Sequence, residues 1–169
     1  MRDGIAAASK VQAVQIGEMA ASDSPTDVLV AYGLGSCVAV CLYDPVAQVG
    51  GMLHALLPTI PNGQPPGNPA KFVDQGVPLL LESLLELGAR RTRLIAKLCG
   101  GAQMVGSESS RTLNIGRLNV LAVEAALEAV QLKIRAQSTG GHCGRTVKFY
   151  LADGTVTVRT LQQGEQVLS

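Results

Sequence analysis

Three short apolar runs, set close together, constrain this chain more than any other feature. Val28-Leu29-Val30-Ala31-Tyr32 ends at Gly33, Ser36 to Tyr43 ends at Asp44-Pro45, and Val49 to Leu57 ends at Pro58. Each run is too short to be a helix of ordinary length and lacks the alternation of a half-exposed strand. Continuous apolar runs bounded by turn residues read as strands buried on both faces. Their spacing predicts neighbouring strands of one sheet covered on both sides.

The remaining pattern supplies the cover. Helical periodicity runs over about 71–88, with Val73, Val77, Leu80, Leu84 and Leu85 on one face and Asp74, Glu82 and Glu86 on another. Pro78 either kinks this helix or begins its regular part, and Gly88 is a natural stop. A second helix is expected from Asn114, a candidate cap, to Val130. Strands are expected at Thr92–Leu98, Leu132–Ala136, Val147–Leu151 and Thr155–Leu161, the last two as a hairpin about Ala152-Asp153-Gly154. A further strand fits within Val11–Met19. Residues 1–10 read as a loose, flexible leader and 11–169 as one domain. The order of elements predicts an α/β fold, a single-domain layered sandwich with a mixed β-sheet and helices packed on it.

Composition narrows the function. Of 169 residues, 47% are hydrophobic, and 14 basic residues nearly balance 13 acidic ones, so there is no electrostatic footprint for nucleic acid. The longest apolar stretch, Val77 to Leu87, is broken by Glu82 and Glu86 and cannot span a bilayer. The amino-terminal sequence lacks the apolar core of a secretory signal, so the expected localisation is cytoplasmic. There the four cysteines, Cys37, Cys41, Cys99 and Cys143, are expected as buried thiols, catalytic groups or ligands rather than a disulfide framework.

Gly33-Leu34-Gly35-Ser36-Cys37 is the most informative segment. A cysteine after a glycine turn sits where backbone N–H groups can lower a thiol pKa and hold an oxyanion. Taken alone, the segment reads more simply as a turn before a strand carrying an inert core thiol. His54, one of two histidines, lies within the third apolar run, and alone it reads as a core histidine needing a polar partner. If the two strands are adjacent, imidazole and sulfur become a nucleophile–base pair. Elsewhere the bland readings are better. Thr139-Gly140-Gly141-His142-Cys143-Gly144-Arg145 reads as a glycine turn between strands. Ser107, Ser109 and Ser110 read as solvated loop, and Arg111 and Arg117 as surface charge. A zinc site drawn from Cys37, Cys41, His54, His142 and Cys143 lacks a Cys-x-x-Cys pair, and Cys37 and Cys41 fit better as same-face strand residues. No metal or organic cofactor is expected. The Pro/Gly-rich loop over 58–70 is long enough to be a candidate rim for a site.

These residues carry a family resemblance. Gly33-Leu34-Gly35-Ser36-Cys37-Val38-Ala39-Val40, Asp44-Pro45, Gly50-Gly51 with His54, and Leu57-Pro58 resemble the signature of the CheD family of chemoreceptor glutamine deamidases. The likeness continues in order through Lys71-Phe72-Val73-Asp74, Ala96-Lys97, Gly100-Gly101-Ala102, Met104, Asn114-Ile115-Gly116-Arg117, Asn119, Gly140-Gly141, Gly144-Arg145 and Gly164-Glu165-Gln166. It covers nearly the whole chain after the leader, making 11–169 a CheD-like catalytic domain.

The resemblance implies a compact α/β sandwich, similar to the catalytic domain of glutamine-deamidating bacterial toxins. It implies hydrolysis of receptor glutamine side-chain amides to glutamate and ammonia, in some members of receptor methyl esters also, and a role in chemotactic adaptation. The implied partners are chemoreceptors (methyl-accepting chemotaxis proteins) and the phosphatase CheC, without insertion into the membrane. Cys37 matches the family's nucleophile and His54 its base; Ser36 and Gly35 are candidates for an orienting or oxyanion role. One departure bears on mechanism: a Thr common six residues before the cysteine, taken to orient the histidine, is Ala31 here. Ser36, Tyr32 or a backbone carbonyl are the alternatives left open. Ser138, where Asp is common, and Pro78 are smaller departures. Competing readings are a catalytically weak module that binds receptors or CheC, and a cysteine hydrolase acting on glutamine in another protein.

Overall fold

The computed structural model describes residues 8–62, 67–104 and 114–169. Among these residues, ten strands form two five-stranded sheets. In chain order they are β1 (Lys10–Ala13), β2 (Glu18–Ser22), β3 (Asp27–Leu34), β4 (Val38–Asp44), β5 (Val49–Ala55), β6 (Ile95–Gly100), β7 (Ile134–Thr139), β8 (Arg145–Tyr150), β9 (Val156–Thr160) and β10 (Gly164–Leu168). The first sheet has the order β1-β3-β8-β9-β10 and the second β2-β5-β4-β6-β7. Each contains one parallel pair, β1 with β3 and β6 with β7. Two helices, α1 (Val73–Glu86) and α2 (Ile115–Ala129), complete the domain.

Alternation along β4 explains the layering. Val38, Val40 and Leu42 face α1 and α2 and pack with Leu80, Leu84, Val123 and Leu127. Cys37, Ala39, Cys41 and Tyr43 face the other way and pack with Leu29, Ala31, Val147 and Phe149 of the first sheet. The central sheet is thus buried on both faces, which is why β4 reads as a continuous apolar run. The expected α/β sandwich is present, and Cys37 and Cys41 share a face as expected.

Several expectations need correction. Of the three apolar runs, β4 and β5 pair, with Ala39 opposite His54, but β3 belongs to the other sheet. The register of β3 against β8 shifts between Ala31 and Leu34, and Gly33 adopts φ +61°. The turn that follows therefore carries the chain from one sheet to the next instead of closing a hairpin. Val11–Met19 divides into β1 and the start of β2, which lie in different sheets. Helix α1 starts before Pro78 and continues through it, and its buried face uses Leu81, whereas Leu85 is exposed. Strand β6 starts three residues later than expected, after a 3-10 turn at Arg91–Arg93. Strand β10 has no counterpart among the strands the sequence pattern predicts. Asn114 does cap α2, its side chain accepting from the Arg117 N–H, and Gly88 ends the α1 region at φ +100°. The expected rim over 58–70 lies partly outside the described residues, as do Ser107, Ser109, Ser110 and Arg111.

Candidate active site

Cys37 stands one residue before β4, on the strand's inter-sheet face, and is nearly buried. Strand β4 runs antiparallel to β5, and Ala39 lies directly opposite His54. Cross-strand partners project to the same face, as do residues two apart on one strand. Cys37 and His54 are therefore diagonal neighbours on one face of the central sheet.

The imidazole is 2% exposed, and its Nδ1 lies 2.8 Å from the carbonyl oxygen of Val14. A carbonyl only accepts, so Nδ1 carries the proton and Nε2 keeps a lone pair. Nε2 is buried and, among the described residues, has no hydrogen-bond partner. Burial lowers the imidazole pKa from its ordinary value, against the Val14 carbonyl and the charge of Glu18, which pull it upward. Burial likewise pushes the Cys37 thiol up, partly offset by its own backbone N–H. Both shifts favour the uncharged forms of thiol and imidazole. Cys41 and Cys99 lie deeper; burial is the main reason that Cys41 is raised further and Cys99 to about 12.

The turn before Cys37 is held through its carbonyls. Gly35 O accepts from Ala102 N at 2.9 Å and Cys37 O from Gly101 N at 2.8 Å. Ser36 O accepts from the side-chain amide of Asn119, 2.9 Å away, and the same nitrogen donates to Leu56 O at 2.9 Å. One fully buried side chain on α2 therefore ties the residue before Cys37 to the strand end beyond His54. Among the described residues, the Ser36 N–H meets no backbone acceptor, and the Cys37 N–H faces its own sulfur. Gly100 allows this packing: at φ +105° its backbone lies so close to the Cys37 carbonyl that any Cβ would collide with it.

The orienting partner of His54 is a backbone carbonyl. Ala31 is fully buried among apolar neighbours, and Tyr32 is 60% exposed. Tyr32 does line, with Ala13, Val14, Gln15, Ile16 and His54, a cleft of about 270 Å³ that opens toward the imidazole. Asn119 was not singled out for any role at the site by the sequence, although it sits with Gly116, Val123 and Leu127 on the helix's buried stripe. A polar residue on such a stripe is itself a signal. In the Thr139–Arg145 cluster, Arg145 binds the carbonyls of Ser138 and Gly140, and the His142 ring contacts Gln103 O at 3.0 Å. Among the described residues, no three His, Cys, Asp or Glu side chains gather to hold a metal ion.

Fold and site define an α/β sandwich protein with a buried Cys–His pair at the edge of a glycine turn. Comparison with known proteins makes this specific. The family model described as CheD chemotactic sensory transduction matches residues 56–160. The chain is 43% identical to the probable chemoreceptor glutamine deamidase CheD of Symbiobacterium thermophilum, covering 94% of this chain and 98% of that one. It is 42% identical to the Caldanaerobacter subterraneus protein of the same name, covering 92% and 96%. For the Pyrococcus horikoshii protein, also so named, identity is 44%, covering 91% and 94%. The chain belongs to the CheD family. The matched stretch of the family model begins after His54, so that match does not bear on the Cys–His pair. A solved Bacillus licheniformis hypothetical protein, YfiH, is similar at a TM-score of 0.44 and 11% identity over 80% of this chain and 59% of that one, too remote to bear on fold or function.

Proposed function

We propose that this chain is a chemoreceptor glutamine deamidase in which Cys37 is the nucleophile and His54 the general base. The observation that carries the assignment is the His54 tautomer: Nδ1–H is committed to Val14 O, and a free Nε2 lone pair lies on the face that Cys37 shares. As Sγ attacks the glutamine Cδ, Nε2 takes the thiol proton, so charge develops only as the bond forms. The oxyanion is held by N–H groups of the Gly35–Cys37 turn, each worth about 3–4 kcal/mol in such a hole. The imidazolium then gives its proton to the departing ammonia, leaving a thioester and a neutral ring. Water adds to the thioester with the same imidazole as base, releasing glutamate and the Cys37 thiol. Gly35 serves by letting the substrate approach the backbone, and Ser36 by presenting its N–H while Asn119 fixes its carbonyl. The same sequence would cleave a receptor methyl ester, with methanol leaving instead of ammonia.

Relatives named as chemoreceptor deamidases, 42–44% identical over most of both chains, support the substrate class. The partners on this reading are chemoreceptors and, where a cell contains it, the phosphatase CheC. The compartment is the cytoplasm, where the receptor signalling domains lie, and 11–169 is the catalytic domain. Among the described residues no helix is long and apolar enough to cross a membrane. The test is to incubate the purified chain with a chemoreceptor cytoplasmic fragment and map conversion of glutamine to glutamate by peptide mass spectrometry. Conversion at discrete glutamines is expected. Binding without conversion would overturn the enzyme assignment in favour of a regulatory module.

A further inference from the structure

Both helices pack against the second sheet, so among the described residues the outer face of the first sheet has no helical cover. An open groove of about 680 Å³ lies at one end of this face, lined by Tyr32 and Gly33 of β3, by 143–146 and Lys148 at the start of β8, and by 159–162 at the end of β9 and just after it. Its lining holds three cationic side chains, Arg145, Lys148 and Arg159, and no carboxylate. In a chain whose charges nearly balance, that is a local segregation of charge. The guanidinium of Arg145 is spent on the Ser138 and Gly140 carbonyls, leaving Arg159, together with Lys148 in its exposed pair with Glu165, as the cations that can meet a ligand. Val147, Phe149 and Val158 point into the inter-sheet core, so Lys148 and Arg159, which alternate with them, point from the outer face. The flanking carboxylate Glu165 lies 3.9 Å from Lys148 and accepts from the Thr157 hydroxyl. Among the described residues, Arg159 has no ion-pair partner. Two exposed apolar groups edge the groove, Tyr32 and Leu161.

Tyr32 also lines the cleft that opens onto His54. One aromatic side chain therefore borders both the cleft at His54 and the basic groove. We propose that this groove, from Tyr32 to Lys148 and Arg159, binds an acidic segment of the polypeptide that carries the target glutamine, and so helps to select which glutamine reaches Cys37. The proposal rests on the deamidase reading and adds its substrate determinant. Cationic side chains at the rim of an interface act on encounter and affinity rather than on the bond-making step, so their removal moves KM and its salt dependence.

The test is the kinetics of receptor-fragment deamidation by the wild type, by the Lys148→Gln/Arg159→Gln double variant and by Arg159→Lys, each at low and raised salt. Neutral replacements avoid placing a new carboxylate opposite Glu165. The expected result is a KM about tenfold higher in the double variant at low salt, equivalent to about 1.4 kcal/mol, with kcat unchanged and a flattened salt dependence. Arg159→Lys should stay close to wild type. An unchanged KM in a folded double variant overturns the groove while leaving the deamidase reading standing. Self-association that is lost in the double variant while KM holds would assign the groove to a second copy and equally overturn the proposal. No conversion by the wild type would remove the deamidase reading and this inference with it.

Discussion

His54 commits one ring nitrogen to the carbonyl of Val14, and that single bond decides what the other nitrogen can do. A main-chain acceptor fixes the tautomer as well as a side-chain hydroxyl would, which gives the position of Ala31 no catalytic duty to perform. It also adds no negative charge beside the ring, so burial, which lowers the imidazole pKa and raises that of the thiol, favours the uncharged form of each. Alkylation of Cys37 by iodoacetamide in the resting protein should accordingly rise in one step centred above the ordinary thiol value of about 8.5. A plateau of reactivity between about pH 5 and 7 would reveal a thiolate–imidazolium pair and contradict this account. At this scale the sequence showed the actors but not the bond. Cys37 and His54 stand out by type and setting, whereas Val14 enters through its carbonyl, a group every residue carries. Asn119 could have been found from its place on the apolar stripe of α2.

Strand β4 begins beside the candidate nucleophile and ends at Asp44, a fully buried carboxylate. Asp44 accepts from Nε and Nη2 of Arg93, the latter at 2.7 Å, and from the backbone N–H groups of Arg90, Val46 and Ala47. Burial alone would raise its pKa, but the Arg93 fork and these backbone donors outweigh it and hold the carboxyl well below the usual range. As pH falls, the unfolded chain takes up this proton first. The stabilisation is therefore complete above about pH 4 and is lost progressively below it. Urea unfolding should show a wild-type stability that falls in acid more steeply than that of Asp44→Asn; parallel curves would refute the linkage. At neutral pH, Asp44→Ala should cost about 3 kcal/mol, because it leaves several donors without their acceptor. The sequence marks Asp44-Pro45 as a strand end and no more, since the partners that make the carboxylate structural lie 46 and 49 residues further on.

Across the whole molecule, two sheets and a helical layer bring together pieces distant in sequence: the turn before Cys37, the end of β5, the start of α2 and the Gly100-Gly101 crossing. Apolar runs and helical periodicity made the layers legible. They could not divide the strands between two sheets, because a strand in either sheet has a buried face and the pattern does not say against what. The division follows instead from the irregular end of β3, where the shifted register and the left-handed Gly33 turn the chain toward the central sheet. β10 escaped notice because its residues are largely exposed and lack an apolar period. What this assembly accomplishes is a cysteine and a histidine from paired strands on one face.

The most direct test of that arrangement is the rate of ammonia release from a chemoreceptor cytoplasmic fragment by the wild type, Cys37→Ser and His54→Gln under identical conditions. The account predicts steady release by the wild type and a loss of about a thousandfold or more in each variant, because nucleophile and base act as one unit. Release within about tenfold of wild type by either variant would contradict the assignment of Cys37 and His54 as the reacting pair.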